Sequence, residues 1–189
     1  KDIEIVFFMA GVSGPWIAGD IEELYSAGVQ KVIIFGNCGV LDSKIEDCSI
    51  IIPTKGFRDE GTSYHYVSPS ETIEINPDYK EDFIKILNEY NFDYTEGYTW
   101  TTDAFYRETN DKIKYFKDNG AVCVEMEGTV IASVSQRLNM KYFTFYYAGD
   151  NLDSTVWDKR SLEGPTNIDK KKEVLLLALE LAVVLNNYE

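Results

Sequence analysis

Histidine is almost absent: His65 is the only one in the chain. A cysteine nucleophile with a histidine base would therefore have a single possible partner, and none of Cys38, Cys48 and Cys123 sits in a recognisable catalytic context. Three cysteines is an odd number, their spacings are unmatched and no CxxC pair occurs. That argues against a zinc site or a disulfide framework, so no metal is expected, and three reduced thiols fit a cytoplasmic protein. Positive charge is also scarce. Lysine and arginine number 18 against 32 acids, a net charge of −14, which excludes a polyanion such as nucleic acid as the main partner. A small anionic substrate stays open, because a local site can oppose the global field. Long apolar runs are missing too: none reaches bilayer length and no signal peptide is evident, so no membrane association is expected. Repeats, low-complexity tracts and internal linkers are lacking, and a single domain over residues 1–189 is expected. The chain starts at Lys1 and runs directly into an apolar segment, as a fragment or processed product would.

What is present is a core. Hydrophobic residues make up 44% and aromatics 14% of the chain, a globular composition. "IEIVFFMAGV" (3–12) reads as a buried strand, followed by a helix from Trp16 to Ala27 with Gly28 as its cap. "KVIIFGNCGVL" (31–41) and "CSIIIP" (48–53) read as strands, the second stopped by Pro53. An amphipathic helix is predicted over 79–92, a strand over 94–102, a short helix over 110–120 with Asn110 as its candidate cap, a strand over 121–125 and a helix over 128–139. A further strand, 141–150, and a long C-terminal helix, 170–188, complete the order. Strands that are continuous apolar runs and alternate with helices predict an α/β fold, a central sheet covered on both faces. Ligands in such sheets collect at the carboxyl ends of strands. Four strands here end in unusual residues: "FGNCG", "TTDAFYRE", "EMEG" and "AGDNLD".

Each of these carries a possible chemistry and a plainer alternative. In "GNCG", Gly36 and Gly39 would let backbone N–H groups approach an anion or a base edge, although a tight turn needs the same residues. In "EMEG", Glu125 and Glu127 flank Met126 at a strand-to-helix junction. A carboxylate there can accept hydrogen bonds from two vicinal hydroxyls, and can equally cap the next helix. Asp150 closes the run "YFTFYYAGD" and could protonate a leaving group if burial raises its pKa, or act as a helix cap. Phe105 and Tyr106 offer a stacking surface, a role that core aromatics share with them.

Taken together, these stretches resemble the nucleoside phosphorylase superfamily of the uridine phosphorylase and hexameric purine nucleoside phosphorylase type. The likeness runs in order from "MAGVSGP" to "AGDNL", with "VEMEG" its most specific element and "RDEGTSYHY", "TTDAFYRET" and "WDKR" beside it. It implies a three-layer α/β/α fold with a mixed central sheet, phosphorylase/hydrolase-like. It also implies cleavage of the N-glycosidic bond of a purine or uridine ribonucleoside with phosphate, giving free base and ribose 1-phosphate. Under it Met126 packs on the sugar, Glu127 holds the ribose hydroxyls and Glu125 helps position the nucleoside. Phe105 and Tyr106 line the base, Cys38 and Gly39 flank it, Asn37 faces phosphate and Asp150 is the purine-type acid. No cofactor is implied beyond phosphate as co-substrate, and the partners are nucleoside, phosphate and further copies in a homo-oligomer, dimer to hexamer.

Two departures stand out. Ile34 occupies the place where such phosphorylases carry an arginine, and the usual N-terminal strand with its glycine/arginine phosphate loop is not found. Arg58 and Arg107 are the candidates to replace them. Two other readings follow: a nucleosidase of the same superfamily that uses water, and a non-catalytic nucleoside-binding relative.

Overall fold

The computed structural model describes residues 4–162 and 165–187. Its five α-helices and six strands run in the order α1 (Gly14–Ser26), β1 (Lys31–Val40), β2 (Ile50–Asp59), β3 (Thr72–Glu74), α2 (Lys80–Glu89), β4 (Tyr94–Thr102), α3 (Asn110–Asp118), β5 (Ala121–Glu125), α4 (Gly128–Leu138), β6 (Lys141–Asn151) and α5 (Ile168–Leu185). The strands form one mixed sheet in the order β3-β2-β4-β5-β1-β6. Pairs β1–β6, β2–β4 and β4–β5 are parallel, while β1–β5 and β2–β3 are antiparallel. A short antiparallel pairing of Ile50 with Tyr147 and Ile51 with Tyr146 joins β2 to β6, so the sheet curls back on itself.

Alternation along β6 shows why helices cover both sides. Phe143 and Phe145 point into a cluster with Phe83, Ile86 and Leu87 of α2 and Val174, Leu177 and Leu181 of α5. Tyr142 points the other way, to Ile17 and Ile21 of α1 and Val130, Ile131 and Val134 of α4. One residue of displacement reverses the face in a strand. Each large side chain buried here contributes about 1.5–3 kcal/mol.

Three expectations about elements change. Residues 4–12 form no strand: Val6, Phe7 and Met9 are exposed, Met9 at 94%. An apolar segment becomes a strand only if a neighbour completes its ladder, and none of the described strands pairs with it. Ile3 lies outside the described residues, as does Tyr188 at the end of the expected C-terminal helix. Pro53 does not stop β2, which continues to Asp59. The register against β4 shifts between Pro53 and Lys55, and this bulge accommodates the missing N–H. Asn110 begins α3 rather than capping it; Thr109 holds the cap position.

Candidate active site

The carboxyl ends of four strands meet through sheet register. Gly39 of β1 pairs with Asp150 of β6 on one side and with Val124 of β5 on the other. Glu125, the next residue of β5, pairs with Thr101 near the end of β4. The "GNCG", "EMEG" and "AGD" motifs therefore occupy one end of the sheet.

Glu125 is buried and fully engaged. Its Oε1 accepts the hydroxyls of Thr99 at 3.0 Å and Thr101 at 2.5 Å. Its Oε2 accepts the N–H groups of Glu127 at 2.7 Å and Gly128 at 2.5 Å. The latter two are backbone donors of the first turn of α4, so Glu125 neutralises that helix end. Burial raises its pKa, and these four hydrogen bonds oppose the rise. Thr99 and Thr101 are polar residues two apart on a buried strand. That spacing was the available signal for a buried polar partner on the same face, and it passed unnoticed.

Glu127 has a different partner. Its Oε1 accepts the N–H of Ser13 at 2.6 Å, at the entry to α1. Ser13 has φ 109° and ψ 154°, a region that side-chain-bearing residues rarely adopt. Burial, then the neighbouring Glu125 charge, push the Glu127 carboxyl up to about 7, with the Ser13 N–H pulling the other way. Glu125 thus acts at the N-terminus of α4, the helix that follows it, whereas Glu127 makes no side-chain cap there and bonds at the entry to α1 instead. Glu127 differs in being only partly buried and poised near neutral pH. Met126 lies between them, partly buried.

Asp150 is partly buried at the end of β6. Its Oδ2 accepts the indole N–H of Trp157 at 2.7 Å. Its Oδ1 faces Gly39, 3.1 Å from where a Cβ on that glycine would lie, and Leu152 is closer still at 2.3 Å. Any larger residue at position 39 would displace the aspartate or the leucine. Burial raises the pKa of Asp150, while Trp157 and Arg160 lower it. Glu108 was not anticipated as a site residue. Burial and then the Asp150 charge raise its carboxyl to about 7. Cys38 is buried, and its thiol donates to the Tyr147 carbonyl at 3.7 Å. Asn37 is exposed.

The remaining candidates lie on the turn after β4 and on β2. Phe105 and Tyr106 lie on a 3-10 turn after β4, their rings tilted against each other at 4.2 Å and exposed, Tyr106 at 89%. Arg107 ends the same turn, also exposed. Arg58 is buried and turned into its own loop. Its Nε donates to Ser63 at 2.8 Å, its Nη1 to Ser68 at 2.8 Å and Ser70 at 2.9 Å, and Tyr64 covers the guanidinium at 4.0 Å. Ser63 in turn donates to Glu60, which also accepts the hydroxyl of Thr129 in α4. Among the described residues, no group of three or more His, Cys, Asp or Glu could hold a metal ion, and no helix is long and apolar enough to cross a membrane.

A family model described as the Phosphorylase superfamily matches residues 4–183. A guanosine phosphorylase of Halorubrum lacusprofundi is 23% identical over 138 residues, covering 73% of this chain and 57% of that protein. A DeoD-type purine nucleoside phosphorylase of Bacillus cereus is 25% identical over 178 residues, covering 92% of this chain and 73% of the relative. The chain therefore spans little more than half the length of the first of these relatives. Among solved structures, an AMP nucleosidase from Bacteroides thetaiotaomicron shares the fold, with TM-score 0.75 and 18% identity over 93% of this chain and 69% of that one.

Proposed function

The chain belongs to the phosphorylase superfamily, and from that premise we propose that it cleaves the N-glycosidic bond of a purine ribonucleoside with phosphate, releasing free base and ribose 1-phosphate. The observation that carries this reading is the convergence of Glu127 and Asp150 at one end of the sheet, each with a raised pKa. A carboxyl poised near 7 gains most from donors that favour its ionised form, and two ribose hydroxyls are such donors. Burial, which raises the Asp150 pKa, favours the form that has a proton to give. In the reaction the C1′–N bond breaks with its electron pair moving to the base. Asp150 passes its proton to the imidazole nitrogen, and a phosphate oxygen forms the new bond to C1′. Met126 would pack on the sugar, and Cys38 and Gly39 would flank the base. Phe105 and Tyr106 would cover the base, and Asn37 would face phosphate. Glu125 positions this set by fixing the start of α4. Two relatives, the guanosine phosphorylase and the purine nucleoside phosphorylase, support the purine choice.

A second reading, hydrolysis, is favoured by one observation. Arg58, a candidate phosphate ligand, engages Ser63, Ser68 and Ser70 instead. The test is a panel of inosine, guanosine, adenosine and uridine, each with and without phosphate. Purine cleavage that requires phosphate is the expected result. Equal rates without phosphate would establish the hydrolytic reading, and cleavage of uridine alone would overturn the base assignment.

A further inference from the structure

We propose that Trp157 is a positioning residue for Asp150, holding one carboxylate oxygen so that the other faces the base-binding end of β1. The inference rests on the reading of Asp150 as the acid that protonates the departing base.

The placement of Trp157 is built rather than incidental. Beyond β6 the chain leaves at Leu152 and returns at Asp158. Reciprocal backbone hydrogen bonds between Asn151 and Asp158, at 2.8 and 3.2 Å, pin the base of this excursion. Asp153 within it is held by the backbone N–H of Ser43 at 3.0 Å and by an ion pair with Lys117. Trp157 is thereby set back over the residue at the strand end. Its ring contributes little to the core, being 55% exposed. A large aromatic kept at the surface, with its single N–H directed at a carboxylate oxygen at 2.7 Å, is explained by that hydrogen bond.

The consequence follows from which oxygen is bound. Trp157 donates to Oδ2. Oδ1 is left directed toward Gly39, against which any larger side chain would collide. The carboxyl cannot rotate without breaking the indole hydrogen bond, so the oxygen that carries the transferable proton stays on the Gly39 side. Other groups act on the same carboxyl. Arg160 favours its ionised form, Asp158 and Glu108 disfavour it, and the buried Cys38 thiol feels its charge. Against that background the indole N–H favours the ionised state. Its removal makes Asp150 hold its proton to higher pH.

The test pairs kinetics with a signal independent of turnover. In the wild type, the Trp157 indole N–H resonance is followed by NMR between about pH 4 and about pH 9. It is expected to move with pH, and the movement is expected to vanish in Asp150→Asn. Trp157→Phe keeps the ring and deletes the donor. It is expected to raise the alkaline limb of the kcat/KM profile on a purine ribonucleoside by roughly one pH unit, the scale of one hydrogen bond to a charged group. Below that limb the rate should fall roughly tenfold through lost orientation. A nucleoside with a pre-activated leaving group should be cleaved as before. An indole resonance that ignores Asp150 would overturn the hydrogen bond itself. A variant with an unshifted pH profile and an unchanged rate would overturn the positioning role. A wild-type protein inert on every nucleoside would remove the proposed function, and the catalytic part of this inference with it, while the resonance would still decide whether Trp157 holds Asp150.

Discussion

At the scale of single residues, the proposed function gives opposite tasks to two carboxyls whose pKa values burial raises. Under it Asp150 donates a proton to the departing base. Asp150→Asn is therefore expected to lower cleavage of an ordinary purine nucleoside by roughly 10²-fold, within the range of general acid catalysis, and to spare one with a pre-activated leaving group. Equal loss on both substrates would make Asp150 structural. Under the same proposal Glu127 accepts hydrogen bonds from the ribose hydroxyls in its ionised form. Glu127→Gln is expected to cut kcat/KM on ribonucleosides by about two orders of magnitude, and a variant within twofold of wild type would refute the ribose role. Its stability signature is separate. The folded pKa, about 7, exceeds the value of about 4.3 for an unfolded glutamate. The native state therefore binds the extra proton, and the associated stability is full below about pH 4.3 and lost as pH rises through about 7. Urea denaturation should show a weaker decline across that window in Glu127→Gln than in the wild type.

At the scale of elements, the junction β5–α4 carries Glu125, Met126 and Glu127. It was legible as a hydrophobic strand end and helix start with two charges between them. The boundaries of β4, 94–102, and β5, 121–125, agree with the periodicity because both are bounded by sharp turn or helix signals. What periodicity could not reveal was how Glu125 is satisfied. The donors come from Thr99 and Thr101, more than twenty residues away, and that contact exists only once β4 and β5 pair. Trp157 was hidden for the same reason: its partner depends on how the chain returns after β6. Pro53 misled because a bulge absorbs it. Gly128, at the start of α4, tests the tightness of the junction. A Cβ there would lie 2.4 Å from the Tyr146 hydroxyl and 2.9 Å from Glu125 Oε1, both on buried side chains. Gly128→Ala is expected to cost about 1–3 kcal/mol by overpacking. A stability unchanged in urea denaturation would mean that the junction can relax.

At the scale of the whole molecule, the mixed sheet with helices on both faces was readable from apolar strands alternating with amphipathic helices, whereas the β2–β6 closure was not, since only tertiary curl brings Ile50 to Tyr147. The exposed run from Ile5 to Met9, with Trp16, is the main part that burial patterning misjudged. Exposed apolar side chains of this size are costly in water, and we propose that a second copy of the chain covers them. Sedimentation at micromolar concentration should show a dimer or larger, and a fully active monomer would contradict this. The central claim, cleavage of a glycosidic bond with phosphate, is tested most directly by identifying the sugar product. A purine ribonucleoside is incubated with the protein and phosphate in ¹⁸O-water, and the products are analysed by mass spectrometry. The account predicts free base and unlabelled ribose 1-phosphate; ribose carrying ¹⁸O would contradict phosphorolysis, and intact nucleoside would contradict the account as a whole.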